Sequence, residues 1–294
     1  MQPVHFSRWT RGIESDILRL ARKGTKPIVT AMQETPPALP PEPTAPQPAA
    51  TSLAARLMNV FAMPGEVFEE VKAAPPSTAN WLVPVLLNCI VGAIAAVILM
   101  SQPAILQGIR EKQEAQFEKM VQQGKMSRAD ADKAMAVAEK FTGPTMLKLS
   151  GVIGSVVFSF AAFFWWATVL WLLGRWFLRV DFGYTKAMEA AGLASMIGVL
   201  GVIVTLLLQV NLSNLTSSPS LAMLVSDFDA KKVSHLALGA VNVFGIWRVI
   251  VQSIALARLA GVPFQRSAFV MFPVWLLCQL VMIAFASLAG RLGG

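Results

Sequence analysis

The sequence predicts an all-α membrane protein: a polytopic helical bundle of about five transmembrane helices, with an amphipathic N-terminal helix and an extramembrane helical hairpin. Three observations predict it. Of 294 residues, 55% are hydrophobic and 14% charged, with mean hydropathy +0.57, whereas soluble domains carry about a quarter of their residues as charges. Several apolar runs approach the length of about 20 residues that crosses a hydrocarbon core of roughly 30 Å. Finally, the lysines and arginines behind the net charge of +8 flank those runs and form no aromatic-interleaved patch. That distribution suits segments facing anionic lipid, so the expected partner is the lipid bilayer and not nucleic acid.

Residues 4–23 predict an amphipathic helix, because Phe6, Trp9, Ile13, Ile17 and Leu20 recur at steps of three and four while Arg8, Arg11, Arg19 and Arg22 take other faces. Such a stripe suits the headgroup layer, and equally a solvated or partner-packed helix. Residues 1–35 form this surface segment. Proline removes backbone donors and favours extended chain, so the prolines of 36–50 predict a linker. The remainder, 51–294, is the membrane domain.

That domain opens with two short helices, one showing Leu53, Leu57 and Phe61 on a face, the next started by Pro64 and presenting Val67, Phe68 and Val71. At about ten residues each they are too short to span and dock at the membrane surface. Five spanning candidates follow: 81–100, with Asn88 as its one clearly polar side chain; 149–173; 190–208, preceded by Glu189; 236–257, holding Asn242, Arg248 and Gln252; and 268–290, with Gln279 near its middle. Between the first two, 102–148 predicts a helical hairpin off the membrane. Apolar positions repeat at helical spacing on either side of Gly124, and Ser127 with Asp130 resembles an N-capping box.

Loops carrying Arg175, Arg179, Lys186, Arg258 and Arg266 face one side, against Lys231, Lys232 and Arg291 on the other. The positive-inside rule then puts the N-terminus in the cytoplasm, although the basic hairpin opposes it. The N-terminus lacks the pattern of a signal peptide.

The function classes narrow by residue type. The two histidines, His5 and His235, lie in separate segments, Cys89 and Cys278 both lie in apolar runs, and no span contains an aspartate. No catalytic, cofactor-binding or metal-binding residue is expected, and no small-molecule substrate is identified. Arg248 stands out, because an arginine deep in a bilayer costs at least about 2.5 kcal/mol unless paired or wet. With Gln252 one turn on and Gln279 at similar expected depth, it forms the candidate intramembrane polar cluster, either lining a pathway or satisfied between helices. Small residues four apart (Asn88, Gly92 and Ala96; Gly151, Ser155 and Ser159; Ala194 and Gly198) predict closely packed spans.

The stretch Arg56-Leu-Met-Asn-Val-Phe-Ala-Met-Pro64-Gly-Glu-Val-Phe68, followed by Trp81-Leu-Val-Pro84, resembles the opening of the Yip (Ypt-interacting protein) domain. Tyr184-Thr-Lys-Ala187, Phe244-Gly-Ile-Trp247 and Leu259-Ala-Gly-Val-Pro-Phe-Gln-Arg-Ser-Ala268 match in the same order, so the resemblance covers about 51–288. It implies five spans, a cytosolic N-terminus and an exterior C-terminus, and the long hairpin looks like that of bacterial members, placing the chain in a bacterial cytoplasmic membrane. Eukaryotic relatives bind Rab GTPases, but their Asp-Leu-Tyr-Gly-Pro stretch is not found here, so that activity does not carry over. Two readings remain: a non-catalytic membrane scaffold or interaction protein with a membrane-protein partner or self-association, and a permease or channel-like component with a polar site around Arg248.

Overall fold

The computed structural model describes residues 51–226, 228–229 and 232–292; the amphipathic helix and the proline linker lie outside them. Apart from one isolated antiparallel bridge, Ser220 to Asn242, the regular structure of the described residues is helical. The two short helices are α1 (Leu53–Ala62) and α2 (Pro64–Ala73). Ser52 caps α1 by accepting from the Ala55 amide at 3.2 Å, and Pro64 occupies the first turn of α2, where a missing donor is harmless. They dock as a pair against the spans, with Val60, Val67, Phe68 and Val71 almost fully buried.

Five helices are long and apolar enough to cross a membrane. Span 1 is α3 (Ala79–Leu99). The hairpin follows as α4 (Pro103–Gln122) and α5 (Arg128–Thr142). Gly124, at φ +68°, makes the left-handed turn between them, and Ser127 caps α5 by accepting from the Asp130 amide at 3.1 Å. Span 2 is α6 (Pro144–Leu172), continued by a π-helical turn at Leu173–Phe177. Span 3 is α7 (Tyr184–Ala194) and α8 (Met196–Asn211), jointed at Ser195. A short helix, α9 (Val233–Ala240), precedes span 4, α10 (Val243–Ala260), and span 5 is α11 (Phe264–Leu292).

Span 4 differs from the expected 236–257. The helix breaks at Val241, and Asn242 caps the new start, its Oδ1 accepting from the amides of Phe244 (2.9 Å) and Gly245 (3.2 Å). A hydropathy run cannot see this break, since α9 and α10 are both apolar; the asparagine between them was the signal, read as a polar residue within the span when it is a cap. At the other end Gly261 adopts φ +66° and the Val262 amide reaches back to the Ala257 carbonyl at 3.0 Å. This glycine-terminated motif, with Pro263 behind it, stops the helix and turns the chain into span 5.

Packing of the spans rests on close approach, because lipid gives apolar helices little hydrophobic reason to associate. A Cβ on Gly92 would meet Ser155 Cβ at 2.9 Å, and one on Gly151 would meet Ala96 Cβ at 2.8 Å, so spans 1 and 2 touch along the small-residue faces seen in the sequence. Gly192 of span 3 lies directly against the backbone and Cβ of Trp81. Spans 3 and 4 provide much of the core, including Leu193, Ile197, Val249 and Leu256, whereas span 5 leaves Leu276, Leu280, Met282 and Phe285 exposed.

Candidate functional site

Two polar systems occupy opposite ends of the bundle. The first lies beside α1 and α2. Pro84 leaves the Asn80 carbonyl without its helical donor, and the Asn80 side chain turns inward, 1% exposed. Its Nδ2 donates to Glu189 Oε2 at 2.6 Å, while its Oδ1 accepts from Arg56 at 3.4 Å. Arg56 also pairs with Glu70 at 3.4 Å. Glu189, likewise 1% exposed, pairs through Oε1 with Lys186 at 3.1 Å, and that ammonium donates to the carbonyls of Val71 (2.6 Å) and Ala74 (2.7 Å), capping the end of α2. A continuous chain of contacts therefore ties both short helices to spans 1 and 3. Glu70, Arg56, Asn80, Glu189 and Lys186 carry it, and each buried charge has a counter-charge or several hydrogen bonds.

Sequence reasoning missed this chain. The uncharged run predicts span 3 from 190, with Glu189 just before it and Lys186 in the preceding loop; the helix begins at Tyr184 and carries both inside it. A Lys–Glu pair three residues apart on an otherwise apolar helix was the available signal.

The second system surrounds Arg248. It lies five residues inside α10, about 7 Å from the helix start at about 1.5 Å per residue. The expected span had put it near the bilayer centre. Its guanidinium carbon sits 5.5 Å from the Trp166 ring centroid, a cation–π contact with span 2. Arg248 has no ion pair or hydrogen bond among the described residues. It lines two adjoining cavities that share Gly92, Gly198 and Val202: one of about 480 Å³ reaching Met100, Gln209 and Asn242, and one of about 190 Å³ reaching inward to Val85 and Gln252.

Gln252 is 2% exposed and its Oε1 has no hydrogen-bond partner among the described residues. The structure thus brings Arg248 and Gln252 to one cavity system. Gln279 goes elsewhere: its Nε2 donates to the Ala240 carbonyl at 3.0 Å, holding the end of α9 to span 5. Asn88, on the cavity wall, donates to the Ser195 carbonyl (3.3 Å), Ser195 Oγ (3.1 Å) and the Pro84 carbonyl (2.9 Å). Ser195 Oγ in turn donates to the Gly192 carbonyl at 2.7 Å. This inserted hydroxyl accompanies the joint in span 3, and Asn88 ties that joint to span 1.

Among the described residues, no group of histidine, cysteine, aspartate or glutamate is arranged to hold a metal ion. The fold and these two systems define a class: multi-pass helical membrane proteins of five apolar spans, with a short helical pair locked against one end. A family model, the Yip1 domain, matches residues 58–286, and the chain belongs to that family. No curated protein and no solved structure matches it.

Proposed function

We propose that this Yip1-family protein is a non-catalytic membrane scaffold that presents α1 and α2 as a docking head to a membrane-protein partner or to a second copy. One observation carries the reading: the buried chain from Glu70 through Arg56, Asn80 and Glu189 to Lys186 fixes two short helices to the spans. Helices held in this way keep a preset surface for a partner, which lowers the ordering cost of association. Met58 (69% exposed) and Met63 (43%) lie on that surface. We read residues 1–35 as a surface segment on a linker, 36–50, attached to the membrane domain 51–294, with the N-terminus in the cytoplasm of a bacterial cell; the positive-inside count of the short loops supports that orientation, and the likeness of the hairpin to that of bacterial members supports the cell.

The test is photocrosslinking in native membranes from positions 58 and 63, with position 285 on span 5 as a lipid-facing control. Discrete protein adducts from 58 and 63 that exceed those from 285 are expected. Equal or purely lipidic labelling at all three would defeat the scaffold reading.

A permease is the second reading, favoured by the cavities at Arg248. The inner cavity ends near Val85 and Ala191, and beyond it Trp81 and Gly192 meet backbone to backbone, with the Asn80–Glu189 contact alongside. A transport route would have to open that contact. Cysteines at 248 and 252 that react with a water-soluble thiol reagent from both membrane faces would favour transport over scaffolding.

A further inference from the structure

The Arg248 cavities raise a charge problem that the scaffold reading does not solve. Their walls include the guanidinium of Arg248 and no carboxylate. Arginine side chains keep their charge in proteins, and an unneutralised cation below the membrane surface is costly. Trp166 meets the guanidinium through its ring, which offers no acceptor lone pair for the N–H groups. The planar fork of a guanidinium matches an oxyanion through two parallel N–H···O bonds.

Position says where the counter-ion comes from. The larger cavity runs from Arg248 to Met100, Gln209 and Asn242, the residues that end spans 1 and 3 and begin span 4. It therefore reaches the membrane face opposite α1 and α2, at the depth where headgroups lie. The rest of its wall is largely aliphatic, with Ala95, Leu99 and Leu206. The smaller cavity touches Phe158, which is 70% exposed on the outer side of span 2. A ligand of this shape has one charged end and an apolar body.

We propose that the cavity beside Arg248 is a binding site for a single anionic amphiphile, its phosphate or carboxylate held by the Arg248 guanidinium and its acyl portion lying along spans 1, 3 and 4. Arg248 is the specificity-determining residue, and Val202, common to both cavities, sets the space available.

The experiment uses the full chain purified in mild detergent and native mass spectrometry, with phosphatidylglycerol, phosphatidylcholine of the same acyl chains, and inorganic phosphate as probes. One phosphatidylglycerol retained per chain is expected, at least about tenfold tighter than phosphatidylcholine, as one charge-assisted contact provides. Arg248→Gln should abolish that preference, Arg248→Lys should keep part of it, and Arg175→Gln, at an exposed arginine near the other face, should leave it unchanged. Equal binding of the two lipids, or an unchanged preference in Arg248→Gln, overturns the site. Inorganic phosphate binding as tightly as the anionic lipid overturns the amphiphile as its occupant. Should Arg248→Gln fail to fold, Val202→Phe decides: it keeps the charge and fills the shared volume, so retention of the lipid preference overturns the site as well. These outcomes are independent of crosslinking at 58 and 63, so either reading can fail alone.

Discussion

The two polar systems of this bundle contain similar chemistry and opposite solutions. Beside α1 and α2, Glu189 and its neighbours are buried and answered by protein groups; around Arg248, charge and amide line a space with no carboxylate. The difference is one of packing. At the first end Gly192 admits the Trp81 backbone, bringing Asn80 within 2.6 Å of Glu189. At the second, Gly92, Gly198 and Gly201 line an open volume of about 480 Å³. Glycine thus serves a backbone contact at one end and lines an open volume at the other.

That contrast can be broken most directly at Glu189. Glu189→Leu strands Lys186 and Asn80 in a buried site, and thermal unfolding in detergent should show a loss of about 3–5 kcal/mol. A loss below about 1 kcal/mol would mean the chain of contacts does not hold the helices. Next in size is Gly192→Val, which drives a branched side chain into Trp81; overpacking of this kind costs about 1–3 kcal/mol, and detachment of α1 and α2 should appear as faster proteolysis at 74–78. Gly151→Val should fall in the same range through Ala96, but without exposing that loop.

At the open end the expectation reverses. Arg248→Leu leaves no partner unpaired, so in detergent free of anionic lipid its stability should stay within about 1 kcal/mol of the parent or rise. A loss as large as that of Glu189→Leu would show that Arg248 is satisfied within the protein, contrary to the geometry. The smallest effect belongs to Arg258→Ala. Its pair with Glu69 is half exposed on both sides, and it should cost no more than about 1 kcal/mol, falling further at high salt.

The span count, the hairpin and the small-residue faces were legible because each follows from a local rule. A long uncharged run has few alternatives to lipid, Gly124 and Ser127 punctuate the hairpin, and glycine recurring with serine or alanine at four-residue spacing marks helix contact. Arg248 and Gln252 were legible too, as polar groups where lipid physics penalises them. Gln279 was assigned by depth alone, and the helix break at Val241 gave it a carbonyl of Ala240 to bind instead.

By itself the sequence determined the solvent of this protein, and through the period of its small and polar residues it determined which helix faces meet. It could not determine what those polar groups meet, because Arg56, Asn80 and Glu189 are separated by up to 133 residues and come together only when spans 1 and 3 pack around Trp81. Tertiary structure alone decided that Glu189 is neutralised and Arg248 is not. A buried charge is satisfied by distance in space, and distance in sequence places no limit on that.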